Sequence, residues 1–200
     1  MLLNLHTDFS PSSFHFPVEK QYHVLKHFTE VDPSYKEELL AKTACSEKEL
    51  QKRLQRFGSK FYPDFALNPL EVFPHIVPSD GNEINYRMQS FQRIELQVFF
   101  AANRYPDGIG TDTLVVMSDI AKDAQIKSRN RKGYNIHYAV GTPKPTWELN
   151  CIFEREREDW HLITMFPGMY APPFPDEEEQ NEEEFNEYKT FWDEHLFVME

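Results

Sequence analysis

The stretch from Tyr134 to Pro175 limits this chain most, because it holds three strand-like runs in close succession: YNIHYAV, TWELNCIFE and HLITMF. In the second run Trp147, Leu149, Cys151 and Phe153 recur at every other position, which gives a strand one apolar face. The segment GTPKP reads as a turn between the first two runs, and REREDW as a turn between the second and third. Three strands joined so closely pair most simply as an antiparallel meander. The exit FPGMYAPPFP stops the pattern, since Pro167, Pro172, Pro173 and Pro175 lack donors and fix the backbone.

A chain of 200 residues, 40% hydrophobic and 14% aromatic, has enough apolar material for one domain of ordinary size. Its net charge of −12 is unevenly spread. Residues 176–200 carry eleven acids against one lysine, a net of −10, so residues 1–175 carry only −2. The acidity therefore belongs to the C-terminal segment and does not argue against a polyanionic partner for the rest. No apolar run reaches membrane-spanning length, and MLLNLHTDFS lacks the basic and apolar regions of a signal peptide. The expectation is a cytoplasmic protein with no membrane partner. Cys45 sits in a polar helical pattern and Cys151 in an apolar strand, which predicts two reduced thiols.

Residues 1–17 show no periodicity and read as an irregular arm. From Val18 onward Tyr22, Leu25 and Phe28 recur at three-residue steps, the spacing of a helix. A second helix is predicted from Pro33 with Asp32 as its N-cap. Ser46 followed by Glu49 makes a capping box for a third helix, which Gly58 would close. Residues 59–81 hold four prolines among aromatics and read as an irregular connection packed on the body. Then the period falls to two: Ile94, Leu96, Val98 and Phe100 share a face, and TDTLVVMSDI after the turn at Pro106–Gly110 pairs back as a hairpin. At the C-terminus Phe185, Tyr188, Phe191, Trp192 and Leu196 give an acidic segment the apolar stripe of a docked helix.

The predicted fold class is α+β in a single domain over 1–200. A helical layer occupies 1–58, the connection and a central antiparallel sheet of about five strands 59–175, and an acidic amphipathic helix 176–200.

The chemistry that these residue types suit is RNA cleavage through the 2′-hydroxyl. Such a reaction needs a general base, a general acid and cations for the phosphate, and no cofactor or metal. His137, on a strand face with Asn135, and His161, at the head of the last strand, are the acid/base candidates. Thr164, Tyr134 and Tyr170 supply hydroxyls. The run KDAQIKSRNRK, read as a loop, holds five cations and one acid, and Lys127, Arg129, Arg131 and Lys132 in it are the candidate phosphate contacts. His23 and His27 stand four apart on a predicted helix, but the residues between them lack the glutamate of a zinc-protease helix.

The order of helices followed by an antiparallel sheet, together with HLITMFP as an apolar strand carrying a Thr and ending in an aromatic and a Pro, resembles the barnase–EndoU–RelE type of ribonuclease toxin over about residues 114–175. The resemblance implies metal-independent RNA cleavage, with Thr164 at the matching strand position and His137 or His161 as acid and base. The alternative from the same sequence is non-catalytic: an acidic binding protein of the inhibitor or immunity type, whose C-terminal segment engages a basic protein partner.

Overall fold

A computed structural model describes residues 14–76, 83–90, 92–115, 125–131, 134–157, 159–172, 175 and 180–195, with backbone alone at 86–90, 125–131 and 134–138. The chain forms two compact units, one of residues 1–112 with 145–168 and one of residues 113–144 with 169–200. Helices and antiparallel strands make this an α+β protein, with two sheets instead of the one that the strand count suggested. Among the described residues no helix is long and apolar enough to cross a membrane.

In the first unit the helices form where the capping signals lie. Helix α1, Val18–Val24, runs into a 3-10 turn at Leu25–His27. Helix α2, Pro33–Lys42, starts with Pro33 at its first position, and the Asp32 carboxylate accepts the Tyr35 N–H at 3.0 Å. Helix α3, Glu47–Leu54, has the full capping box: the Glu49 N–H donates to Ser46 Oγ at 3.3 Å, and the Ser46 N–H donates to Glu49 Oε2 at 2.8 Å. It ends at Leu54, short of Gly58. The Lys60 ammonium supplies the ending, since it donates to the carbonyls of Leu54 (2.7 Å), Lys26 (2.7 Å) and Phe28 (3.1 Å) and so terminates α3 and the 3-10 turn together. Burial lowers the pKa of Lys60 to about 8. Asn68 caps the short helix α4, Pro69–Val72, by accepting from the N–H groups of Leu70 and Glu71.

Five strands of this unit form one sheet: β1 (Phe14–His15), β3 (Glu83–Ser90), β4 (Arg93–Phe99), β8 (Glu148–Glu156) and β9 (Asp159–Pro167), in the order β1-β9-β8-β4-β3. All neighbours are antiparallel except β1, which runs parallel to β9. Alternation then separates the two faces. Ile94, Leu96 and Val98 pair with Phe153, Cys151 and Leu149, which in turn face Leu162, Met165 and Pro167. All nine of these are buried, and the apolar ones join Val24, Leu25, Phe28, Leu39 and Leu50 of the helical layer in one core. The opposite face carries Arg93, Glu95, Gln97, Glu148, Asn150, Glu154, Glu156, Asp159, His161 and Thr164. Both cysteines are free, and burial raises the pKa of Cys151.

One register irregularity shapes that polar face. Ile152 pairs with Thr164 but Phe153 pairs with Leu162, so Ile163 is the extra residue of a β-bulge. His161 and Thr164, three positions apart, would occupy opposite faces of a regular strand; the bulge places them on the same one.

The irregular connection packs as its aromatics suggested. Phe61, Ala66, Val72 and Ile76 are buried, and Phe65, His75, Phe100 and Tyr105 meet mostly edge to face at centroid distances of 5.0 to 6.4 Å. Strand β2, Lys60–Phe61, pairs antiparallel with the start of β5, Gly110–Leu114.

Three pairings differ from the sequence expectation. Strand β4 forms its hairpin with β3, not with the segment after Gly110. The run GTPKP is no turn: β7 extends without interruption from Tyr134 to Thr146. Thr142 and Lys144 each precede a proline, a context that disfavours helical backbone and favours extended backbone, and the prolines themselves tolerate it. The expected meander therefore reduces to one hairpin, β8 with β9, and β7 pairs elsewhere. Thirdly, the basic run is a strand. In the second unit β6, Gln125–Arg131, pairs antiparallel with β7. That unit also holds helix α5, Glu182–His195, on which Tyr188, Trp192 and His195 are buried and Trp192 Nε1 donates to the Pro172 carbonyl at 3.3 Å. Leu196, the last member of the expected stripe, lies outside the described residues.

Candidate active site

Of the residues that the sequence offers for RNA cleavage, His161 and Thr164 share the polar face of the five-stranded sheet. The others lie in the second unit, apart from Lys132, which is outside the described residues. There the register of β6 with β7 sorts them. Lys127 faces Tyr138, Arg129 faces Ile136 and Arg131 faces Tyr134, so these positions belong to one face of the ladder. His137 faces Ser128, and Asn135 faces Asn130, on the other. His137 and Asn135 therefore share a face of the ladder, as their spacing implies, and Lys127, Arg129 and Arg131, expected in a loop beside them, take alternate positions of the paired strand. Tyr170 is partly buried in the second unit.

The structure gives His161 a different partner. Strand β1 places His15 opposite His161 in the parallel register, and the two rings stand 5.4 Å apart between centroids. Each has a carboxylate: His15 Nε2 lies 3.7 Å from Asp159 Oδ2, and His161 Nδ1 lies 3.5 Å from Glu156 Oε2. The carboxylates lie beside Nε2 of His15 and Nδ1 of His161, so the contact leaves Nδ1 of His15 and Nε2 of His161 away from them. The His15 side chain is 54% exposed and that of His161 23%, so both are reachable from solvent. The register continues across the sheet from His161 to Glu154 and from Glu154 to Arg93, whose Nη1 is 3.7 Å from Glu154 Oε1. Among the described residues no group of three or more His, Cys, Asp and Glu side chains is placed to hold a metal ion.

Sequence reasoning missed His15. The triplet Phe14-His15-Phe16 alternates apolar and polar, the one available strand signal, but two paired residues are too few to make a period.

A second polar centre sits farther along the same face. Glu148 Oε1 accepts from Asn150 Nδ2 at 2.8 Å and from Gln97 Nε2 at 3.3 Å, while Asn150 Nδ2 also donates to the Gly168 carbonyl at 2.5 Å. Burial, and then the neighbouring Asp112 carboxylate, raise the pKa of Glu148. A carboxyl whose pKa rises on folding contributes stability that is complete below its unfolded pKa and is lost as pH climbs through its folded value. Glu148→Gln keeps the acceptor oxygen and removes the charge. Its melting temperature is expected to match wild type near pH 4 and to exceed it by a few degrees at pH 8, measured by thermal melts across that range.

Compared with known protein families, with curated proteins and with solved structures, the chain finds no match.

Proposed function

We propose that this protein is an RNA-cleaving enzyme whose acid/base pair is His15 and His161. The observation that carries the reading is the pair itself: two solvent-reachable imidazoles 5.4 Å apart, each with its own carboxylate, on the polar face of a rigid sheet. Two imidazoles placed to flank one phosphodiester, one as base and one as acid, are what 2′-hydroxyl attack requires. One imidazole takes the 2′-hydroxyl proton as that oxygen attacks phosphorus. The other gives its proton to the departing 5′-oxygen, leaving a cyclic phosphate. Thr164, on the same face, is the hydroxyl that the resemblance to ribonuclease toxins singles out.

The test is cleavage of labelled RNA by the purified protein in excess chelator. Wild type is expected to give discrete products, and a 2′-deoxy strand of the same sequence none. His15→Ala and His161→Ala, each checked for folding by circular dichroism, are expected to lower the rate by about 10² or more.

The acidic binding protein is retained as a second reading because Glu154, Glu156 and Asp159 lie on the same face as the histidine pair and repel a polyanion. The exposed Glu182 and Glu183 in the first turn of α5 add to it. Folded wild-type protein that cleaves no RNA would remove the enzyme, and capture of a basic protein partner would then support this reading.

A further inference from the structure

A second surface of the first unit has the opposite electrostatic character. Lys20 and His23 on α1 and Lys26 in the 3-10 turn follow one another at three-residue steps, so they line one side of that helical segment. Arg53 on α3 reaches across to them, with its guanidinium 4.1 Å over the Tyr22 ring and its Nη1 donating to the His23 carbonyl at 3.4 Å. Lys26 Nζ donates to His23 Nε2 at 3.2 Å, and Arg56 follows Arg53 one turn on.

Burial, with Lys26, Arg53, Lys20 and Arg56 acting in the same direction, lowers the pKa of His23 to about 4, so its ring is neutral at physiological pH and the four cations dominate. The only acid on α1, Glu19, is exposed in its first turn. Four cations gathered in this way within a chain of net charge −12 form a local positive surface that the overall composition conceals.

We propose that Lys20, Lys26, Arg53 and Arg56 bind the phosphate backbone of single-stranded RNA and feed the strand toward the histidine pair. The inference rests on the RNA-cleaving reading and adds to it a binding surface. Lys20 is five residues from His15, so their backbones are at most about 18 Å apart, a span that one short strand covers. Among the described strands β1, which carries His15, stands at the edge of the sheet. Arg53 over Tyr22 adds a ring and a planar cation, the kind of pair on which bases stack.

The experiment is fluorescence anisotropy of a labelled twelve-nucleotide RNA titrated with full-length protein from 50 to 200 mM KCl. The double variant Lys20→Gln/Arg56→Gln changes two surface cations and leaves the Arg53 and Lys26 contacts in place. It is expected to weaken binding about tenfold at 100 mM and to reduce the slope of log affinity against log salt by about 1.4. His15→Ala and His161→Ala are expected to bind as wild type does. A double variant with unchanged affinity and slope, or a wild type that does not bind, overturns the surface. If cleavage is lost in the histidine variants while the double variant binds normally, the surface fails and the enzyme reading stands. Salt-dependent binding lost in the double variant, without cleavage by wild type, keeps the surface and removes the enzyme.

Discussion

Phe153→Ala is expected to lower the unfolding free energy by about 4 kcal/mol, the larger of the two stability losses foreseen here. Phe153 is fully buried in the middle of β8, where it faces Ile94 of β4 on one side and Leu162 of β9 on the other, both also without exposure. Its ring fills the line along which three strands meet the helical layer, and the strands cannot close the gap without breaking their ladders. Urea titration followed by tryptophan fluorescence gives the value directly. A loss under about 1.5 kcal/mol would mean that the core there relaxes, contrary to the packing described.

Gly110→Ala is expected to cost about 3 kcal/mol by a different mechanism. A Cβ built at Gly110 would lie 2.3 Å from the Lys60 carbonyl oxygen and 3.0 Å from Pro167 Cβ. The first neighbour is backbone and cannot rotate away. A single methyl group therefore pushes β2 from β5 and disturbs Lys60, the residue that terminates α3 and the 3-10 turn. The same urea titration measures it, with Gly58→Ala as a comparison. Gly58 has open space where its Cβ would go but a φ of +146°, so it carries the cost of backbone conformation without a steric clash.

The contrast between these two sites and the helix termini shows which parts of the fold were legible. Asp32 and the Ser46–Glu49 box were read correctly because a cap depends on residues three positions apart, and every contact involved lies within that window. Strand partners are chosen by residues far away in the chain. β4 had several strand-like runs with which to pair, and alternation alone did not favour β3 and β8 over the segment after Gly110. The GTPKP misreading is instructive, since the prolines that suggested a turn also favour extended backbone, and only the pairing of the flanking residues decides between the two.

The candidate site divides in the same way. His161 was legible as the polar head of an apolar strand. Alternation pointed to His137 as the other strand-borne histidine, and it could not show that His15, from a segment without any period, lies beside His161. The cationic surface on α1 and α3 was not legible either. Its members are single lysines and arginines scattered through two helices, and only the packing of those helices makes them neighbours.

The bulge at Ile163 carries one further implication, for changes in chain length. In a paired strand the loss of one residue normally turns every later side chain to the wrong side of the sheet. At Ile163 the chain already holds one residue more than the ladder uses. Its deletion would bring Thr164 two places after His161 instead of three, still facing the same way, and Met165 would still point into the core. The middle of β9 is thus one place in the sheet where a shortened chain keeps its pattern of inside and outside.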